Sequence, residues 1–399
     1  MSALGFARDV AVIGGCGRVG LPLGIAFASR GLAVTLIDLN ESAVASVNAG
    51  RMPFHEDDAE QSLYDAVANG QLFATTDSAA LREAESIILV VGTPLDDQLN
   101  PDISVLSRII DQYAANFADG QLLVLRSTVH AGATRLLERG MEAQGLKVSV
   151  AYCPERIAEG RAMVELFSLP QIVAARDEHT RARAEKLFLN LTNQVVQLEP
   201  EEAELAKLFT NAWRYVKFAT ANQFWMIAND AGLDFERIRQ AVTFDYPRAA
   251  DLPGAGFAAG PCLLKDTMQL AAFSSNEFIL GHGAMLVNER LPLYLVRRLE
   301  NRFDLSSMTV GILGMSFKAG SDDPRDSLSY KLTKVLASRA AATLCSDSYV
   351  DDDRFVGLDQ VLRDADLIII ATPHLEYRDL VTDKPVVDIW SLTGRPPIV

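Results

Sequence analysis

Residues 9–14 (Asp-Val-Ala-Val-Ile-Gly) form an apolar run of strand length, and Gly15-Cys16-Gly17-Arg18-Val19-Gly20 follows without a gap. The spacing then predicts a helix over 21–30 and a second strand over 32–37, closed by Asp38, 18 residues beyond the last glycine. No other feature restricts the fold so tightly. Glycines at these positions make a tight turn and let backbone approach a pyrophosphate, whose charge is favoured at the helix N-terminus. A carboxylate at position 38 accepts from a ribose 2′-OH and repels a 2′-phosphate, which favours NAD over NADP. A purely structural turn would account for the glycines but not for the strand, helix, strand and acid around them.

The same rhythm continues. Ser86–Val91 is an all-apolar run ending in Gly92-Thr93-Pro94, Gln121–Leu125 ends in Arg126-Ser127-Thr128, and Val148–Tyr152 ends in Cys153-Pro154-Glu155-Arg156 with Glu159-Gly160 beyond. Such runs suit buried parallel strands with ligand loops at their carboxyl ends. Three successive strands deliver Thr93, Thr128 and Glu155 to one sheet edge. Each alone is an ordinary surface-loop residue; their recurrence at strand ends points to a site.

From Glu199 to about Ala231 apolar residues recur at helical spacing (Leu205, Leu208, Ala212, Val216, Ala219, Met226). At 1.5 Å per residue this helix is roughly 45 Å long, a length that bridges domains or builds a dimer interface. On it Lys207 and Asn211 are i,i+4 neighbours on one face. They suit joint binding of an oxyanion, or a solvated edge. Further helices are expected over 235–242, 263–273 and 283–303, the last kinked by Pro292. A second α/β rhythm begins near residue 308, with strands at 309–314, 367–371 and 386–389 and a helix over 327–338. Its first loop, 315–325, lacks the glycine fingerprint, so a second dinucleotide is not expected; Lys318 and Arg325 there suit a phosphate or plain surface charge. The chain thus reads as α/β, with two Rossmann-like parallel-sheet domains joined by a central all-α domain with a long helix: 1–199, 200–304 and 305–399.

In that helical middle a small-residue loop, Pro253-Gly254-Ala255-Gly256-Phe257-Ala258-Ala259-Gly260-Pro261, runs into Cys262 and a new helix. A thiol at a helix N-terminus is favoured as thiolate, and Lys265 adds a positive charge nearby. A small buried cysteine beside a turn is the bland alternative.

Composition removes other classes. The formal net charge of −15 argues against nucleic acid or an anionic membrane as partner through bulk electrostatics. No apolar stretch reaches the ~18 residues of a membrane span, and no leader pattern opens the chain. Four cysteines far apart, with no CxxC, suggest reduced thiols and a cytoplasmic location. Five histidines are scattered without ligand spacing, so no metal is expected.

Taken in order, the motifs resemble the nucleotide-sugar 6-dehydrogenases acting on UDP-glucose, UDP-N-acetylhexosamines or GDP-mannose. The resemblance rests on Gly15-x-Gly17-x-Val19-Gly20, Val91-Gly92-Thr93-Pro94, Ser127-Thr128-Val129, Pro154-Glu155-Arg156 with Glu159-Gly160, Lys207-x-x-x-Asn211, Gly260-Pro261-Cys262 with Lys265-Asp266, and Gly314-Met315-x-Phe317-Lys318 with Asp323-x-Arg325. It implies oxidation of a sugar C6 alcohol to the carboxylate in two hydride transfers that consume two NAD. Cys262 would form a thiohemiacetal and then a thioester. Lys207 and Asn211 would stabilise the oxyanion, while Glu155 and Asp266, with Thr128, would handle protons and water. Gly15, Gly17, Arg18, Val19, Gly20, Asp38, Thr93, Thr128, Glu159, Lys265 and Arg325 would contact NAD. Glu155, Lys207, Asn211, Gly256, Gly260 and Lys318 would face the UDP-sugar, with Arg248 reaching it from the partner of a homodimer.

Ala258 and Ala259 depart from the adjacent glycines of many relatives, and Arg18 stands where many have an aromatic residue. Pro154-Glu155-Arg156, Leu169-Pro170-Gln171 and Tyr246-Pro247-Arg248 look like the N-acetylhexosamine branch, whereas Cys262–Thr267 looks like the UDP-glucose branch. The balance favours a UDP-N-acetylhexosamine, with UDP-glucose as the alternative. A two-electron dehydrogenase of the β-hydroxyacid type is a rival reading, and needs neither Cys262 nor the second α/β domain. A non-catalytic nucleotide-sugar sensor is another, opposed by the joint presence of Cys262, Lys207, Asn211 and Asp266.

Overall fold

Strand β1 (Arg8–Ile13) is the hub of the first sheet, because Val10, Ala11 and Val12 are buried completely on both faces. Around it lie β2 (Val34–Ile37), β3 (Leu72–Thr75), β4 (Ala84–Leu89), β5 (Leu122–Leu125), β6 (Ser149–Tyr152), β7 (Gln171–Ala174) and β8 (Val195–Leu198). Their order is β3-β2-β1-β4-β5-β6-β7-β8. The expected parallel sheet holds except between β6 and β7, which meet antiparallel at Tyr152 and Ala174. The strand order reverses between β1 and β4, so a crevice opens at their carboxyl ends, the place where this class of sheet binds ligands.

The computed structural model describes residues 5–93, 102 and 104–396; Pro94, which closes the Val91–Pro94 motif, lies outside them. Two units result, Met1–Phe209 and Thr210–Val399. The helix Pro200–Asp230, 31 residues long, carries the chain from one into the other.

The second unit contains the helices Phe235–Thr243, Leu263–Phe273 and Ile279–Glu300, the last unbroken through Pro292. A four-stranded sheet follows: β9 (Thr309–Leu313), β10 (Ala342–Ser346), β11 (Leu367–Ile370) and β12 (Val386–Asp388), in the order β10-β9-β11-β12 and parallel throughout. Leu291, Leu295 and Leu299 of the long second helix share one apolar core with Ile312, Leu332 and Ile369. Each such side chain contributes about 1.5–3 kcal/mol by leaving water. The helical middle and the second sheet are therefore held together inside one unit.

Candidate active site

In the first unit the glycine turn links β1 to the helix Gly20–Ser29, whose first turn carries neither an acidic residue nor a side-chain cap. With no carboxylate or cap there, the positive end of its dipole favours an anion. A Cβ at Gly20 would collide with the Gly14 carbonyl oxygen, so helix and turn approach as closely as only glycine permits. Asp38, one residue past β2, lies across the turn: its Oδ2 accepts from the Cys16 amide at 3.0 Å and its Oδ1 from the Asn40 amide. Burial, then the Asp38 charge, pushes the Cys16 thiol up to about 12, which keeps it inert beside the turn. A helix N-terminus with no side-chain cap, a glycine-only approach and an acid after β2 fit a dinucleotide's pyrophosphate and ribose.

The loops from neighbouring strands are tied to this turn. Arg18 Nη1 lies 3.0 Å from Glu159 Oε1, and its guanidinium sits over the Phe54 ring. The Thr93 hydroxyl donates to the Thr128 carbonyl at 2.5 Å, joining the loops after β4 and β5. Glu155, after β6, is held most firmly. Its Oε2 pairs with Arg126 Nε at 2.8 Å and Nη2 at 2.5 Å, and its Oε1 accepts from the amides of Arg156 and Ile157. Arg126 is 2% exposed and also donates to the Cys153 carbonyl and Gln171. Both Glu155 oxygens are thus engaged, an arrangement that orients the carboxylate and the loop that bears it.

Three acids or cations that pattern reading passed over hold this half in shape. Arg126 is one. Glu56, buried, accepts from the amides of Gly160 and Ala162 and fixes the loop that bears Glu159. Glu204, fully buried, accepts from the amides of Gly132 and Thr134 and from the Thr134 hydroxyl, capping the helix that follows the Thr128 loop. One turn beyond Glu204 on the same helix, Lys207 is buried.

In the second unit Cys262 is the N-cap of the helix Leu263–Phe273 and is exposed. Its thiol therefore faces solvent at the positive end of a helix, as a nucleophile requires. Asp266 lies one turn further and is fully buried. The Asn211 amide donates to its Oδ2 at 2.5 Å, and Lys265 Nζ lies 2.7 Å from its Oδ1. The sequence placed Lys265 among the NAD contacts; within this unit its amine lies on Asp266. The loop before the thiol is clamped from the long helix. Asn222 donates to the Gly256 carbonyl and accepts from the Gly256 amide, and Asn288 receives the other Asn222 amide hydrogen. Gly260, at φ +101°, has Phe317 where a Cβ would stand.

Arg325 Nε lies 2.9 Å from both carboxylate oxygens of Asp323, which fixes it at the head of the helix Leu328–Leu336. Arg248 is exposed, its guanidinium stacked on the Tyr246 ring. A cleft of about 720 Å³ opens beside Ala258–Gly260, walled by Arg325, Tyr330, Lys331 and Arg354. Among the described residues no group of His, Cys, Asp and Glu is arranged to hold a metal.

Family models match all three parts of the chain: the NAD binding domain of the UDP-glucose/GDP-mannose dehydrogenase family over residues 8–192, its central domain over 201–289, and its UDP binding domain over 311–395. The chain belongs to the UDP-glucose/GDP-mannose dehydrogenase family. A UDP-N-acetyl-D-mannosamine dehydrogenase from Pyrococcus horikoshii is 30% identical over 98% of this chain and 97% of its own. The structure of the P. horikoshii enzyme superposes with a TM-score of 0.90 over 98% and 97% of the two chains at 28% identity. A UDP-glucose dehydrogenase from Pyrobaculum islandicum superposes with a TM-score of 0.87 at 29% identity, covering 97% and 95%.

As a member of this family the chain is an NAD-dependent nucleotide-sugar dehydrogenase. The glycine turn, Asp38 and the Arg18–Glu159 pair lie in the family's NAD binding domain, and Lys318 and Arg325 in its UDP binding domain. Cys262, Asn211 and Asp266 lie in the central domain.

Proposed function

We propose that this dehydrogenase oxidises C6 of a UDP-N-acetylhexosamine to the uronate through a covalent intermediate on Cys262. The observation that carries the reading is the exposed thiol at a helix N-cap, with Asp266, Asn211 and Lys265 gathered one turn away. Residues 1–199 serve NAD, 200–304 the covalent chemistry, and 305–399 the UDP-sugar. NAD, when bound, accepts the hydride that leaves C6 at each oxidation.

Cys262 adds as thiolate to the aldehyde carbon, making a C–S bond and a hemiacetal oxygen. Loss of the second hydride leaves a thioester. Water attacks that carbonyl, the C–S bond breaks, and the uronate departs with the thiolate regenerated. Lys207 and Asn211, one turn apart, donate to the oxyanion at the addition and hydrolysis steps. Asp266 is the proton-handling carboxylate, with Thr128 assisting. Glu155, fixed by Arg126, takes the orienting role. Arg18, Asp38, Thr93, Glu159, Lys265 and Arg325 hold NAD; Lys318, Gly256 and Gly260 border the sugar nucleotide, with Arg248 supplied by the partner of a homodimer. Trp213, Phe224 and Ile227, exposed on the long helix, support such a dimer. No helix among the described residues is long and apolar enough to cross a membrane. The four cysteines, far apart and with no CxxC, support a reducing compartment, and we place the enzyme in the cytoplasm.

The sugar is favoured as N-acetylated because the P. horikoshii relative acts on UDP-N-acetyl-D-mannosamine by name. UDP-glucose is the second reading, favoured by the P. islandicum superposition. Separate assays with NAD and UDP-N-acetylmannosamine, UDP-N-acetylglucosamine, UDP-glucose or GDP-mannose decide between them. Cys262→Ser is expected to retain UDP-sugar binding and release no uronate; undiminished turnover in that variant would overturn the covalent mechanism.

A further inference from the structure

Both sheets repeat one device. After β2, Asp38 accepts from an amide of the loop after β1; after β10, Asp347 accepts from the Met315 and Ser316 amides of the loop after β9, at 2.5 and 3.0 Å. The two acids differ in what faces them. Asp38 is only half-buried. The Asp347 side chain is 0% exposed, as is that of His374, whose Nε2 lies 3.1 Å from Asp347 Oδ2. Tyr349 stacks on the imidazole with ring centroids 4.7 Å apart, and Tyr377 meets it edge-on. An acid sealed in this way has no face left for a ribose, which gives a physical reason beyond the missing glycines for the second sheet to serve a different ligand.

The imidazole instead holds a loop. The Gly320 amide donates to His374 Nδ1 at 3.1 Å. A backbone N–H can only donate, so Nδ1 carries the lone pair and the ring proton sits on Nε2, facing Asp347. His374 and Asp347 thereby grip both ends of the segment 315–320. Between them, the Ser316 hydroxyl donates to the Lys318 carbonyl, and the Thr372 and Ser327 hydroxyls donate to the Ser316 carbonyl. The segment displays Lys318, and Phe317 packs against Gly260 two residues before the thiol.

We propose that His374, acting through Asp347 and Gly320, is a positioning residue for the UDP moiety, fixing the loop that presents Lys318 and braces the cysteine loop through Phe317. This rests on the reading of Lys318 as a sugar-nucleotide contact, and the test separates the two. Two substitutions dissect the ring. Asn at 374 keeps an acceptor where Nδ1 stood and loses the reach to Asp347. Gln keeps a donor near Nε2 and loses the acceptor for Gly320.

UDP and NADH binding are measured by titration calorimetry on wild type, His374→Gln, His374→Asn, Asp347→Asn and Lys318→Ala. The expectation is a UDP affinity about tenfold weaker in His374→Gln, the scale of one lost hydrogen bond, with His374→Asn between it and wild type and NADH affinity unchanged. In turnover, KM for the sugar nucleotide rises while kcat holds. A merely structural role would instead reduce the active fraction, and so kcat, at constant KM. Should His374→Gln fail to fold, Asp347→Asn is expected to show the same selective loss. If Lys318→Ala weakens UDP but the 374 and 347 variants bind it as wild type does, the positioning role is wrong. If Lys318→Ala leaves UDP affinity intact, the Lys318 reading fails and the inference falls with it.

Discussion

The Asn211 amide lies 2.5 Å from Asp266 Oδ2, bonding the long helix to the first turn of the helix that Cys262 caps. Asp266 is held on its other oxygen by Lys265, so a fully buried carboxylate stands one turn from an exposed thiol. Replacing it with Asn keeps the shape and removes the charge. Asp266→Asn is expected to lower kcat by on the order of 10²–10⁴-fold, the range for a lost acid–base group, with UDP affinity unchanged. Steady-state kinetics beside UDP titration check this; a loss confined to KM would assign Asp266 to binding.

The Arg126–Glu155 pair makes a stability prediction. Removing one partner of a buried ion pair strands the other charge, at about 3–5 kcal/mol. Arg126→Ala is therefore expected to lose that much in urea titration, and the double variant with Glu155→Ala to lose less than Arg126→Ala alone. Additive losses would show that the two charges are not coupled.

Asp347 sets an acid limb. Burial alone would raise its carboxyl, but hydrogen bonds from His374 and from the Met315 and Tyr349 amides outweigh it and hold the group at about 2, below the ordinary 3.8. A carboxyl lowered on folding contributes stability that is fully present above its unfolded value and is lost as pH falls through its folded value. The contribution is about 2 kcal/mol. Wild type is expected to exceed Asp347→Asn in stability by most at pH 5, with the gap narrowing toward pH 2. A gap that does not change with pH would mean that the carboxylate charge is not what holds the 315–320 segment.

Central strands and the thiol's helix were legible in the sequence because burial leaves a pattern. β5 and β11 are apolar end to end and β1 and β4 over their carboxyl-terminal halves, and the helix Leu263–Phe273 begins one residue after Cys262, where a small-residue loop gives way to helical spacing. Of the strands that escaped, β3, β8 and β10 are sheet edges, and β7 lies inside its sheet, paired to β6 at one position only. β8 is half-buried at its ends and exposed at Val196 and Gln197, so no alternation marks it. The residues that hold the site together escaped for a different reason. Glu56 meets Gly160 across 104 residues, Glu204 meets Gly132 across 72, and His374 meets Asp347 across 27. A buried charge satisfied by a distant amide has no period and no motif, and only the folded chain shows what it holds.

The most direct test of the covalent, two-step oxidation is the yield of NADH from a limiting, fully consumed amount of the preferred UDP-sugar. Two NADH per sugar, with the uronate as the sole product, is the expected result. One NADH per sugar, with an aldehyde or ketone product, would contradict it and leave Cys262 without a chemical role.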